Sequence, residues 1–286
     1  MRLERAAGPP VMSAIRSVLL HLDATGASVA RLAFARELAD RYGAALTAVF
    51  GVQPDPERAA FAYSAGAALR AAEEGAAAHW VVERARLREL CAAATPEPAW
   101  CEVIGDSVTH GFLAEAAYAD LLVVGAPADA RGRGGPPPGF VEAAILESGT
   151  PAIVVPDRHR VRSIGQRIVV AWNGSPPATR ALHAALPLMA LAAEVHVASW
   201  GAHPPAAPYS RIDIAEWLRR HGIACRVHRG APSSRVAEEL AALTIELQAD
   251  LVVMGCYGHT RLRERMFGGV TRSSLATLPV PLLMAH

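Results

Sequence analysis

Short apolar runs alternate along this chain with longer amphipathic stretches. Arg16–Asp23 (RSVLLHLD) and Arg167–Asn173 (RIVVAWN) are apolar runs that end in a small polar residue. Each leads through a loop into an amphipathic segment, Ser28–Tyr42 or Ala178–Ala190, and then into another apolar run, Ala44–Val52 or Glu194–Trp200. Runs this short and this rich in Val, Ile and Leu predict strands buried on both faces, and the segments between them have helical spacing. Strand and helix in alternation predict βαβ units, and therefore a parallel sheet covered by helices on both sides.

The pattern occurs twice. Ala119–Gly125 (ADLLVVG) matches Ala249–Gly255 (ADLVVMG), and a proline, Pro151 or Pro281, follows each glycine at the same distance. Each proline opens a terminal strand, Ala152–Val155 or Val280–Met284, while Cys101-Glu102-Val103 and Cys225-Arg226-Val227 mark equivalent middle strands. The expected fold class is α/β: two tandem, doubly wound, Rossmann-like parallel-sheet domains at 13–156 and 167–286. A linker at 157–166 joins them, and residues 1–12 are expected to be a disordered lead. Residues 57–94 predict one or two helices; the matching crossover through Tyr209–Gly222 is shorter. Right-handed crossovers put a ligand crevice outside the carboxyl ends of the strands, where the strand order reverses.

Composition narrows the function. The 286 residues are 52% hydrophobic and 19% charged, the balance of a globular protein, and a net charge of +1 gives no reason to expect nucleic acid or an acidic membrane as partner. Every basic residue is arginine. Without lysine there is no Schiff-base chemistry, no pyridoxal phosphate anchor and no P-loop lysine. Cys91, Cys101, Cys225 and Cys256 form no CxxC pair, which predicts reduced thiols in a cytoplasmic protein. No apolar run reaches membrane-spanning length, and Met1–Pro10 does not read as a signal peptide.

One stretch carries candidate chemistry. Gly255-Cys256-Tyr257-Gly258 is followed by nine residues and then Gly268-Gly269, with Thr271 close behind. Glycines at the end of a strand let backbone N–H groups approach a ligand, and a helix opening near Gly269 would point its positive end at the same spot. Together they describe a phosphate-binding loop. Neighbouring residues have plainer readings. Arg261, Arg263 and Arg265 could steer phosphates or form a solvated surface run. Cys256 could be a redox sensor or an inert loop thiol. Trp172 and Trp200 could stack on a base or pack the rim. Cys225 and His228 differ by three along a strand, so they face opposite ways and make a poor metal pair. Asp106, Ser107 and His110 read as the start of a helix rather than as a triad. No acid–base constellation stands near the glycine loop, which argues against a dedicated enzyme.

The duplicated unit and the G-x2-G-x9-G spacing of Gly255, Gly258 and Gly268 resemble a tandem universal stress protein over residues 13–286. The resemblance implies an adenine-nucleotide alpha-hydrolase-like fold in each half. It also implies a non-enzymatic regulatory role in the stress response, and ATP as the ligand. In the second half it carries ribose and phosphate contacts onto Gly255 and Gly258, phosphate contacts onto Gly268 and Gly269, and a nucleoside contact onto Asn173. Two positions depart from the family pattern. The family's Ser or Thr after the third glycine is Gly269 here, with Thr271 as substitute if its hydroxyl turns inward, and its acid after the first strand is Asn173. The first half keeps the acid as Asp23, but Ala128 stands where Gly258 does and Pro138 where Gly268 does. That half is therefore expected to be degenerate and free of nucleotide. Pairing of the two terminal strands is expected to make an internal pseudo-dimer, with pairing of whole chains as a homodimer a further option. A nucleotide-free scaffold working through protein contacts and a slow ATP hydrolase are the competing functions.

Overall fold

The computed structural model describes residues 15–52, 67–104, 108–127, 135–157, 164–201, 212–256 and 269–286. In the first half, the strands are β1 (Ser17–Leu22), β2 (Ala45–Val52), β3 (Ala99–Ile104), β4 (Leu121–Gly125) and β5 (Ala152–Val155). Its helices are α1 (Ala27–Tyr42), α2 (Ala67–Ala92), α3 (Val108–Ala116) and α4 (Phe140–Leu146). The second half has β6 (Arg167–Ala171), β7 (Glu194–Trp200), β8 (Arg226–Gly230), β9 (Leu251–Gly255) and β10 (Leu282–Ala285). Its helices are α5 (Pro176–Ala184), α6 (Leu186–Ala190), α7 (Ile214–Arg220), α8 (Val236–Glu246) and α9 (Gly269–Thr277).

All ten strands belong to one sheet, in the order β3-β2-β1-β4-β5-β10-β9-β6-β7-β8. Within each half every pairing is parallel. The halves meet where β5 and β10 run antiparallel, with Leu282 opposite Val154, Leu283 opposite Ile153 and Met284 opposite Ala152. The terminal strands are thus the edges that join the halves, as the resemblance implies, and each edge covers the other.

The apolar runs are buried on both faces, which explains why they lack alternation. Val18, Leu20, Leu121, Val123, Ile168, Val170, Leu251 and Val253 form one core beneath α1, α2, α5, α6 and α7. Leu19, Leu122, Val124, Val169, Val252 and Met254 form the other, beneath α3, α4, α8 and α9. The repeated aspartate has a structural reason. Asp120 accepts the N–H groups of Arg16 and Ser17 at 2.8 and 3.0 Å, and Asp250 accepts those of Gln166 and Arg167 at 3.0 Å each. Each carboxylate satisfies backbone donors where the half's first strand begins. The halves also touch through α1: Tyr42 donates to Pro187 O at 3.3 Å and Arg41 to Leu191 O at 2.9 Å.

Several boundaries differ from expectation. The segment Ala178–Ala190 is two helices, because Pro187 cannot donate within a continuing helix and instead sits in the first turn of α6. Residues 67–92 form one helix. β10 runs over Leu282–Ala285 rather than opening at Val280. β3 and β8 are equivalent strands, but by register Cys101 matches His228 rather than Cys225. The predicted contents of 1–12, the loop 257–268, and Asp106 and Ser107 lie outside the described residues. Among the described residues no helix is long and apolar enough to cross a membrane.

Candidate functional site

Each half has the strand order 3-2-1-4-5, so the order reverses between its first and fourth strands, and the crevice lies outside their carboxyl ends. In the second half those strands are β6 and β9, paired with Ala171 opposite Met254. Gly255 is one residue beyond Met254 and Asn173 two beyond Ala171, so both fall at the crevice end of that pair. Asn173 is exposed, and its Oδ1 accepts the Ser175 N–H at 3.1 Å. That tight turn uses Gly174 at φ +71°. Its side-chain NH2 remains to donate. Ser175 is the N-cap of α5, accepting the Ala178 N–H at 3.3 Å, and Pro176 follows as a residue with no N–H to satisfy.

Packing gives Gly255 a reason to be glycine apart from its place in the spacing. A Cβ there would lie 2.3 Å from Ala178 N and 2.5 Å from Pro177 C. The absent side chain lets the first turn of α5 pack directly on the end of β9. Cys256 is buried, its thiol donating to Ala285 O at 3.3 Å, and burial pushes it up to about 12. It is a packed thiol with no thiolate to offer as a sensor. Gly269 is the first residue of α9, and Thr271 is 5% exposed, so its side chain faces inward. Asn173 and Gly255 stand at the carboxyl ends of neighbouring strands; Gly258 and Gly268 lie outside the described residues, as do Arg261, Arg263 and Arg265.

Trp172 packs against one core and Trp200 against the other. Trp200 lies over Gly230, where a Cβ would come within 2.4 Å of the indole. The partner of His228 is His196 on β7, with ring nitrogens 3.0 Å apart. Among the described residues no group of three or more His, Cys, Asp or Glu is placed to hold a metal ion.

The first half's crevice is built from Asp23, which the resemblance singles out, and from Ser28, Arg31 and His21, which sequence reasoning passed over. Asp23, just beyond β1, is 1% exposed, and Arg31 from α1 is 2% exposed. Arg31 Nη2 donates to Asp23 Oδ2 and to Ser28 Oγ, both at 2.8 Å. Ser28 Oγ lies 2.9 Å from Asp23 Oδ1, which also accepts the Thr25 N–H at 2.9 Å and the Thr25 hydroxyl. Burial, the largest single effect, would raise the Asp23 carboxyl; the Arg31 guanidinium, His21 and the Thr25 hydrogen bonds together outweigh it and hold it at about 2. His21 lies beneath, against Phe112 and Phe140, its Nε2 bonded to Gly51 O at 3.2 Å. Burial lowers it to about 4, against the pull of Asp23 and with the push of Arg31, so it is neutral. With the proton on Nε2, His21 Nδ1 faces the carboxylate as a second acceptor at 3.9 Å and makes no hydrogen bond.

Fold and crevices define a tandem, doubly wound α/β protein whose two halves treat the same position differently. The model of the universal stress protein family matches residues 165–286, so the second half is a universal stress protein domain, and the first half repeats its fold. A universal stress protein from Archaeoglobus fulgidus DSM 4304 superimposes with a TM-score of 0.67 at 17% identity, over 96% of this chain and 98% of that one. A putative universal stress protein from Pseudomonas aeruginosa UCBPP-PA14 gives 0.57 at 18% identity, over 96% and 94%. A functionally unknown protein from Pseudomonas aeruginosa PAO1 gives 0.56 at 16%, over 97% and 94%. These likenesses establish the tandem fold along the whole chain. A search of the curated proteins finds no match.

Proposed function

We propose that the second half binds one adenine nucleotide, ATP, in the crevice outside β6 and β9. In this reading the chain is a cytoplasmic regulator of the stress response with no catalysis of its own. Asn173 would meet the nucleoside, Gly258 and Gly268 would give the phosphates close access to the backbone, and Gly269 and Thr271 would open the helix beneath them. The first half is the degenerate, nucleotide-free partner of an internal pseudo-dimer, and further pairing of whole chains is part of the same proposal.

The observation that carries this reading is the contrast between Asn173 and Asp23. Asn173 is exposed at its strand end with an NH2 to give, whereas Asp23 is buried and its oxygens are engaged by Thr25, Ser28 and Arg31. A carboxylate buried to 1% exposure behind the Arg31 guanidinium is closed to a ribose hydroxyl. ATP supplies negative charge that unsatisfied helix N–H groups and their dipole favour. One observation favours the competing scaffold: Gly255 is consumed by helix packing, so it is one glycine fewer for a ligand. Mass spectrometry of small molecules released from freshly purified protein separates the two. ATP or ADP near one per chain supports the proposal, and repeated absence of adenine nucleotide supports the scaffold.

A further inference from the structure

The buried cluster around Arg31 enters the nucleotide reading only as the reason that the first half is closed. Its guanidinium lies against the carboxyl end of β4, so close that a Cβ on Gly125 would fall 1.6 Å from Nη1. Nη2 bonds Asp23 Oδ2 and Ser28 Oγ, and Arg31 Nε has no hydrogen-bond partner among the described residues. In the second half the space over Gly255 is filled by the main chain of Pro177 and Ala178. There the positions matching Asp23 and Arg31 are Asn173 and Ala181, both uncharged. The acid is present where the cation is, and both are missing together.

We propose that the first half's crevice is a guanidinium site whose permanent occupant is the chain's own Arg31. Its walls suit a planar cation. Asp23 Oδ2 and Ser28 Oγ accept from one edge, and the bare backbone of Gly125 leaves room for the plane at the end of β4. Asp23 is then the counter-ion of Arg31 rather than a nucleoside ligand. The inference concerns the first half alone and stands whether or not the second half takes ATP.

Arg31→Ala in the full chain vacates the site but keeps its walls, and methylguanidinium is the probe, used at concentrations that leave the wild-type Tm unchanged. It should raise the Tm of Arg31→Ala and bind it in calorimetry, while leaving the wild type unmoved. The double variant Asp23→Asn/Arg31→Ala, which copies the Asn173/Ala181 pair, should bind it about tenfold more weakly or not at all, for want of a carboxylate. If Arg31→Ala does not fold unaided, its refolding yield with and without methylguanidinium reads the same question. No effect on Tm, binding or yield would overturn the proposal, as would equal binding by the double variant. Adenosine binding gained by the double variant would show instead a nucleoside site blocked by a side chain.

Discussion

Gly255→Ala separates two reasons for a glycine at this position, and the structure sets its cost. The new Cβ would sit 2.3 Å from Ala178 N, 2.5 Å from Pro177 C and 2.7 Å from Ala178 Cα, all main-chain atoms. Ordinary contact begins at about 3.4 Å, so α5 must withdraw by about 1 Å. That helix carries Pro177, Ala178, Ala181 and Leu182 into the core, and its withdrawal loosens them all. Overpacking typically costs about 1–3 kcal/mol, and backbone that cannot rotate away puts this case near the top. For a chain of this size the upper figure lowers Tm by about 6–12 °C. The assay is urea and thermal unfolding without nucleotide, with Gly75→Ala as control. No atom lies within 4 Å of that Cβ, in an exposed stretch of α2. The control should gain about 0.5–1 kcal/mol. If Gly255→Ala is as stable as wild type without ligand, the packing argument is wrong and the glycine serves ligand approach instead.

Two further outcomes are expected. His21 titrates near 6.5 when unfolded and about 4 when folded, so the unfolded chain takes its proton first. Stability should therefore fall as pH drops from 6.5 to 4, by about 3 kcal/mol from this group. His196, also lowered by burial and by His228, adds in the same direction, and Asp23 adds a further loss from 3.8 down to about 2. His21→Leu should flatten the upper part of that profile in urea titrations, and an unchanged profile would refute the assignment. Cys256 should resist a thiol reagent at pH 8 until the protein unfolds; rapid labelling of native protein at this residue would show that its burial is wrong.

The fold was legible because both halves repeat it. Apolar runs without alternation marked strands covered on both faces, and the matched ADLLVVG and ADLVVMG segments fixed which strands correspond. Pro187 was the visible sign that α5 stops short, yet amphipathic spacing continues across it and hid the break. The closed crevice was harder to see. An arginine within an amphipathic helix reads as surface, and only its partner's position in space shows otherwise. One signal was present: Asp23 with Arg31 in one half, Asn173 with Ala181 at the same spacing in the other. A histidine inside the otherwise apolar β1 was a second sign of a polar cluster beneath that strand end. Gly255 shows the opposite difficulty. Sequence reveals that a side chain is missing, but whether a ligand or a helix fills the space depends on packing.

Titration of ATP into the full chain by calorimetry tests the central claim most directly, with Gly258→Val and Ala128→Val titrated alongside. One site per chain is predicted, lost in Gly258→Val because a side chain would block the phosphates' approach, and retained in Ala128→Val. No heat at millimolar ATP, two sites per chain, or loss of binding in Ala128→Val rather than Gly258→Val would contradict it.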